Sequence, residues 1–259
     1  LVQNGDFSEE GAEEVSNGSF SQEGAEEVTN GSFDTDSDWN KTQAIISNGE
    51  ANISSDGSYA AIDQSNVSVI GKTYFYSIDV KSIIGTLQFR LGSGTDVDIT
   101  TIGVKTGYIK ATSTTLEIKR KSGAGVIDAT IDNVSCVEVG QNWTLGTGWS
   151  IAEDKAVCDG SQSTISDLEQ NITLNQGSIY LVKFDLIRSS GILYPKVGDT
   201  TGTGLTSTQS VSQTIVAGSS NKLELRADAN FIGSITNISV KKVGQNWVLG
   251  GSGLNTATI

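Results

Sequence analysis

The chain has 259 residues, a net charge of −13 and no histidine. Charged residues make up only 18%, and there are 30 glycines but one proline. No basic patch is present to neutralise phosphates, which excludes nucleic acid as a partner. No apolar run approaches the roughly 20 residues of a membrane-spanning helix, which excludes membrane insertion. The composition is typical of an all-β protein with many tight turns.

A 13-residue repeat opens the chain. Its three units end at Phe7, Phe20 and Phe33, each within Asn-Gly-(Asp/Ser)-Phe, and Asn-Gly favours tight turns because both residues tolerate positive φ. Residues 1–38 hold eleven acids and no Lys or Arg. One unit has too few apolar residues for a core of its own. We therefore predict a stacked acidic β stem over residues 1–37, with the three Phe as apolar layers between chains. The alternative is a flexible acidic linker.

A second repeat has a period of 104 residues, marked by Trp39, Trp143 and Trp247. This period exceeds the roughly 20 to 50 residues of solenoid repeats, so it predicts tandem domains. The expected modules lie over residues 38–140, residues 141–244 and, as the start of a truncated third module, residues 245–259. We expect the modules to fold independently, and we expect the chain to be a piece of a longer protein.

Alternating apolar residues predict the strands of each module. In the first module, Tyr74 to Val80 and Thr86 to Leu91 alternate with period two, and the second module repeats this plan from Tyr180 onwards. Shorter strands are predicted at Tyr59 to Ile62, Val67 to Ile70, Thr115 to Lys119 and Asp132 to Val139. The predicted fold class is therefore all-β, with tandem antiparallel jelly-roll β-sandwiches preceded by a short-repeat β stem.

Catalytic chemistry finds no support in the sequence. The absence of histidine removes the commonest general base. Cys136 and Cys158 are the only cysteines, and Val240 stands at the position of Cys136 in the second module. A small buried apolar site explains this better than a disulfide or a metal. We predict that the chain is not an enzyme.

Several short motifs resemble one family. They are Asn30-Gly31-Ser32-Phe33-Asp34, Trp39, Gly71-Lys72-Thr73-Tyr74 and Ile131-Asp132-Asn133-Val134-Ser135. Together they resemble the carbohydrate-binding-module type of galactose-binding-like jelly roll. The resemblance implies that a structural calcium could lie between Asp34 and Asp132, in the first module only, because Thr236 replaces the second acid in the other module. The alternative is that Asp34 is a solvated turn residue and Asp132 a polar group at a strand end.

The tandem copies and the repeated Asn-Gly-Asp-Phe starts also resemble virion proteins of tailed bacteriophages. This resemblance implies a fibre or decoration protein on a virion surface or otherwise extracellular, with other virion proteins as partners. We expect self-association, with a trimer as the assumed state. Phe75, Leu181 and Ile187 are further interface candidates, because alternation turns them away from their own core.

Glycan binding is the alternative function. Sugars stack on exposed aromatic rings, and Tyr194, Trp149 and Tyr108 are the candidates for such a site. Each of the three could equally serve in packing. The sequence does not indicate which cell-surface glycan would bind.

Overall fold

The structure is a computed structural model that describes residues 9–94 and 96–244. Within these ranges all regular secondary structure is β-strand, and every strand pair between named strands is antiparallel. A search of the described residues finds no helix long and apolar enough to cross a membrane. The predicted all-β sandwich fold is confirmed.

The strands are numbered in chain order. The first eleven are β1 (Glu10–Glu13), β2 (Glu23–Glu26), β3 (Asn40–Thr42), β4 (Ala44–Ser47), β5 (Glu50–Ser55), β6 (Ala61–Gln64), β7 (Thr73–Ile84), β8 (Leu87–Arg90), β9 (Val97–Ile99), β10 (Gly103–Lys110) and β11 (Leu116–Arg120). The others are β12 (Ile127–Val139), β13 (Thr144–Leu145), β14 (Trp149–Ala152), β15 (Lys155–Cys158), β16 (Ser166–Asn171), β17 (Ile179–Ser190), β18 (Leu193–Val197), β19 (Thr200–Thr201), β20 (Gln209–Val216), β21 (Lys222–Ala227) and β22 (Ile232–Val243).

The chain forms two compact units whose boundaries differ from the predicted modules. The continuous unit is Gln22–Gln141, and the discontinuous unit combines Leu1–Ser21 with Asn142–Ile259. We call the described part of the first 13-residue units segment A (residues 9–21) and segment B (residues 22–33). Each segment belongs to a different unit, so the chain begins one unit, completes the other and then returns to the first.

The continuous unit is a sandwich of two sheets. One sheet has the order β10-β7-β12-β5-β4, with β2 of segment B paired to β12, and the other has the order β3-β6-β11-β8-β9. The core between them is one cluster of buried side chains drawn from both sheets and from segment B. Segment B supplies Val28 and Phe33 to this cluster, and each is less than 10% exposed.

The discontinuous unit repeats this plan. One sheet has the order β14-β15-β22-β17-β20, with β1 of segment A paired to β22, and the other has the order β13-β16-β21-β18-β19. The inward residues of β17 match those of β7. Tyr180, Val182, Phe184 and Leu186 are all buried, as the alternation predicts.

The predicted separate stem over residues 1–37 is wrong for the described part of that range. Glu10 pairs with Val243 in β22, and Glu23 pairs with Val139 in β12. The physical reason is that β12 and β22 each extend past their neighbouring strand and leave a backbone edge beside an apolar core. A short segment with one Val and one Phe can complete both. The predicted third module, residues 245–259, lies outside the described residues.

Two further expectations need correction. No strand forms over Val67 to Ile70; Val67 is buried, but Ile70 is 65% exposed in the turn before β7. The second module is also not independent at the joint after Gly140, because segment A supplies β1 to its sheet. Sequence phase alone places a boundary there, but the sandwich needs a strand from the other end of the chain.

Candidate functional site

The two grooves that hold segments A and B are the most elaborate sites in the described part of the chain. In the discontinuous unit, one carboxylate anchors segment A. Oε1 of Glu13 accepts a hydrogen bond from the backbone N–H of Val240 at 2.7 Å, and Oε2 accepts one from the Ser239 hydroxyl at 2.6 Å. The backbone N–H of Glu14 then donates to the Val240 carbonyl at 3.0 Å. The glutamate thus binds main chain and side chain of β22 at its irregular edge.

The end of segment A closes the core. Phe20 is 1% exposed, and its ring centroid lies 5.2 Å from that of Trp143. The indole N–H of Trp143 donates to the Asn17 carbonyl at 3.0 Å, and the N–H of Ile238 donates to the Gly18 carbonyl at 2.9 Å. The Asn-Gly-Ser-Phe turn therefore caps the tryptophan with an aromatic ring and a backbone acceptor.

Segment B repeats the carboxylate anchor in the continuous unit. Oε1 of Glu26 accepts a hydrogen bond from the backbone N–H of Cys136 at 2.8 Å, and Oε2 accepts one from the Ser135 hydroxyl at 2.5 Å. The N–H of Glu27 donates to the Cys136 carbonyl at 3.0 Å. Segment B thus uses the same atoms as segment A, 13 residues later.

The closing turn is repeated as well. Phe33 is 1% exposed and lies 5.4 Å from Trp39 between ring centroids. The indole N–H of Trp39 donates to the Asn30 carbonyl at 3.0 Å, and the N–H of Val134 donates to the Gly31 carbonyl at 2.9 Å. The Asn-Gly-x-Phe start and the Asn-Val end of the motif set therefore meet through a backbone hydrogen bond.

A buried glutamine completes each groove. In the discontinuous unit, Gln170 accepts from the N–H of Ser16 at 2.8 Å and donates to the Ser16 carbonyl at 2.8 Å. In the continuous unit, Gln64 accepts from the N–H of Thr29 at 2.8 Å and donates to its carbonyl at 2.9 Å. Both glutamines therefore bind the segment as another strand would, through its main chain.

One electrostatic contact distinguishes the two grooves. Glu10 forms ion pairs with Lys183 at 2.7 Å and with Lys241 at 3.0 Å. Hydrogen bonds from these two lysines lower the pKa of Glu10 below its ordinary value. In the continuous unit, Ser77 and Val137 take the register positions of the lysines, so Glu23 of segment B has no such pair of basic neighbours.

These contacts overturn part of the predicted oligomer interface. Phe20 and Phe33 are buried within their own units and are not available to another chain in this state. Phe7 lies outside the described residues. Of the strand candidates, Phe75 packs its ring against Tyr108, with centroids 5.2 Å apart, and Ile187 is 60% exposed. Leu181 is half-buried on the outward face of β17.

A polar cleft lies on the outer face of the five-stranded sheet in the continuous unit. Its volume is about 390 Å³. Its floor is an ion pair between Arg90 and Glu117, and the hydroxyl of the half-exposed Tyr59 donates to the same glutamate. The residues that line the cleft are Asp63, Arg90, Gly92, Ser93, Thr112, Ser113, Thr115 and Glu117.

Burial and the hydrogen bond to Glu117 raise the pKa of Tyr59 to about 12, with burial the larger cause. Tyr59 therefore remains a neutral donor at physiological pH. Asp63 and Glu117 are register partners across β6 and β11. The carboxylate of Glu117 is already engaged by Arg90 and Tyr59, an arrangement suited to holding hydroxyl groups.

The corresponding face of the discontinuous unit is closed by its own ion pairs. Arg226 donates two hydrogen bonds to Asp167, at 2.8 and 2.9 Å, and Lys196 pairs with Glu224. Tyr194 is half-buried on this face. A Cβ on Gly204 would lie 2.6 Å from its ring, so the loop covers one edge of the tyrosine.

The predicted glycan-stacking residues thus have different environments. Trp149 is 1% exposed and packs near Phe231, so it cannot stack on a sugar. The prediction for Trp149 is wrong because its strand turns the ring into the core. Tyr108 is 36% exposed but shares its face with Phe75. Tyr194 and Tyr108 are not brought together with the cleft around Tyr59.

The predicted calcium ligands make other contacts. Asp34 is exposed and accepts a hydrogen bond from Ser32 at 2.8 Å. Asp132 accepts hydrogen bonds from Asn133 and lies 3.4 Å from the ammonium of Lys81. Among the described residues, no group of three or more His, Cys, Asp or Glu side chains is placed to hold a metal ion. The calcium site stays a prediction without a preformed ligand group.

Both cysteines are buried and free, as the sequence predicts. Burial raises the pKa of Cys136 to about 12 and also raises that of Cys158. Neither thiol is therefore a ready nucleophile. Each unit contains one of the two, Cys136 in the continuous unit and Cys158 in the discontinuous unit.

Comparisons with known proteins add little. No protein-family model and no curated protein matches the chain. Among solved structures, it is similar to allantoicase from Saccharomyces cerevisiae, with a TM-score of 0.29 and 8% identity over 71% of this chain and 77% of that chain. It is also similar to a deletion mutant of oxalate decarboxylase from Bacillus subtilis, with a TM-score of 0.14 and 6% identity over 81% of this chain and 77% of that chain. Likeness this low carries no argument about function.

Sequence reasoning missed both the grooves and the Tyr59 cleft. One signal for the grooves was present: three Asn-Gly-x-Phe units precede three tryptophans spaced 104 residues apart. Equal numbers suggest that each unit serves one module. For the cleft, the outward positions Asp63 and Glu117 were visible, but their pairing across β6 and β11 was not.

Proposed function

We propose that the chain is a structural surface protein of a virion, a phage fibre or a capsid or tail decoration, that assembles and projects repeated β-sandwich modules. The observation that carries this proposal is the way each sandwich is closed. The chain passes between the two units twice without a linker, at Ser21–Gln22 and at Gln141–Asn142. Two covalent junctions per neighbouring pair suit a protein whose task is to hold modules in a row.

The groups available for chemistry support a non-catalytic role. The chain has no histidine, and its two thiols are buried with raised pKa values. The Glu117 carboxylate in the polar cleft is held by an arginine and a tyrosine. These features favour binding or assembly over bond cleavage. The expected partners are further copies of the chain, with a trimer as the first hypothesis, and other virion proteins.

The test combines assembly and location. Sedimentation of the purified chain should show a homo-oligomer, and antibodies against residues 38–140 should label the surface of particles released by the source organism in immunogold electron microscopy. Labelling of the cell interior alone, with a monomeric protein at all concentrations, would contradict the proposal.

Glycan binding is the second candidate function, favoured by the cleft around Tyr59. Its lining offers an exposed ring, hydroxyl groups and charged acceptors, which is the chemistry that recognises sugars. A glycan array should then show binding that Tyr59→Ala and Arg90→Ala abolish. Tyr108→Ala, on the other sheet, is the matched control and should leave binding unchanged. An array without any signal removes this candidate.

A further inference from the structure

The groove of the discontinuous unit binds a short sequence motif, and nothing in its contacts identifies the chain that supplies the motif. We propose that this groove is a docking site for the segment of a second copy of this chain, so that copies join by strand exchange. The inference rests on the proposed structural role and names the partner and the contact through which assembly would occur. Exchange of identical elements is a known route to oligomers.

The two segments are interchangeable at the atoms that the grooves contact. From residues 8–20 to residues 21–33 the sequence changes at only two positions, Glu9 to Gln22 and Ser16 to Thr29. Glu9 and Gln22 are exposed and precede the segment strands. Ser16 and Thr29 are bound by glutamine through the backbone N–H and carbonyl, so their side chains are not part of that recognition. Either segment therefore fits the groove of the discontinuous unit.

Charge also favours a segment of this kind. Lys183 and Lys241 bind Glu10, and segment B carries the equivalent acid, Glu23. Residues 1–38 contain no Lys or Arg that could oppose this pairing. The groove is thus complementary to any copy of the acidic segment, whether it belongs to the same molecule or to another.

Chain connection is what selects the segment in each groove. Segment B is joined to Trp39 by residues 34–38 alone, so its own unit sees it at high effective concentration. Segment A is separated from Asn142 by residues 22–141, a complete folded unit. The short tether that protects the groove of the continuous unit is absent here. Exchange is therefore expected at the groove of the discontinuous unit.

The experiment uses the full chain with Phe20→Ala, which weakens its own segment A. A fluorescent peptide of residues 8–21 should bind it with one site per chain, and the same peptide with Phe20→Ala should bind at least tenfold more weakly. An unlabelled peptide of residues 21–34 should compete with nearly equal strength. Cys158 labelling monitors the fold, because this buried thiol lies in the discontinuous unit.

Each outcome decides the proposal. If Phe20→Ala leaves Cys158 reactive, the native peptide must restore its protection; failure to do so overturns the proposal, as does absence of binding to a chain whose Cys158 is protected. In the unmodified chain, oligomers formed at high concentration should be dissolved by the residues 8–21 peptide. Oligomers that resist the peptide overturn strand exchange while leaving the structural role intact. A chain that binds the peptide but never oligomerises keeps the groove as a segment receptor and overturns exchange between copies.

Discussion

At the scale of single residues, Gly18 and Gly31 allow the segments to approach the sandwiches. A Cβ on Gly18 would lie 2.0 Å from the Ile238 carbonyl oxygen, and one on Gly31 would lie 1.9 Å from that of Val134. The glycine is needed for close backbone approach, whereas positive φ in the turn is adopted by the preceding Asn17 and Asn30. The Asn-Gly pair was predicted to serve turn geometry alone, so the second residue has a different role.

We expect Gly18→Ala to destabilise the discontinuous unit by about 1–3 kcal/mol or more, the usual cost of forcing an atom into a packed site. The opposing group is backbone and cannot rotate away. Chemical denaturation followed by tryptophan fluorescence measures the change. Ser19→Ala, in the same turn but with an exposed hydroxyl bonded to Ser21, is the control and should change stability little.

The two cysteines should be inert in the native protein. Both are buried with raised pKa values, so a thiol reagent at neutral pH should label neither within the time that labels both in denaturant. Mass spectrometry identifies the labelled residue and therefore reports the opening of each unit separately. Rapid labelling of Cys136 in the native chain would contradict the docking of segment B over it.

At the scale of elements, β1 and β2 each complete a sheet whose long strand comes from a distant part of the chain. β1 lies beside the end of β22, and β2 lies beside the end of β12. Both long strands have an irregular register near an asparagine with positive φ, Asn237 and Asn133. This bulge presents the next N–H to the segment glycine.

Exchange of one aromatic residue should reveal which unit each segment stabilises. We expect Phe20→Ala to cost about 3–5 kcal/mol in the discontinuous unit, since it removes a buried ring beside Trp143. Cys158 should then react faster while Cys136 stays protected. Phe33→Ala should give the reverse. Faster labelling of Cys136 in the Phe20→Ala chain would show that segment A belongs elsewhere.

Acid should weaken the attachment of β1 through Glu10. Because its folded-state pKa is lowered by Lys183 and Lys241, the contribution is present above the unfolded pKa and is lost as the pH falls through the folded pKa. We expect Glu10→Gln to lower the melting temperature of the discontinuous unit at neutral pH but not once the pH is well below that pKa. Added salt should reduce the difference. Glu23→Gln, without the lysine pair, should show no comparable effect.

At the scale of the whole molecule, the unit boundaries do not follow the order of the chain. The continuous unit contains its own segment, but the discontinuous unit depends on residues that precede the other unit. A local deletion near the N-terminal end can therefore destabilise a sandwich more than a hundred residues away.

Removal of residues 1–21 tests this arrangement. In the shortened chain, Trp143 loses the ring and carbonyl that cover it, so the sandwich from Asn142 onwards should be less stable and Cys158 should be labelled readily. The continuous unit should keep Cys136 protected, and a fragment of residues 22–141 should show a β-type circular dichroism spectrum. Equal protection of both cysteines after the deletion would contradict the role of segment A.

The sequence by itself determined the strands and the number of sandwiches. Period-two alternation placed Tyr74, Tyr76 and Ile78 in the core, and the 104-residue repeat indicated two similar modules, because burial on one face of a sheet leaves a local pattern. Only the tertiary structure decided which module each acidic segment completes. The segments differ at two positions and the grooves contact the same atoms in both, so local sequence carries no preference. The assignment depends on backbone edges and on chain connections that are separated by more than a hundred residues, and the pairing of Tyr59, Arg90 and Glu117 into a cleft is likewise non-local.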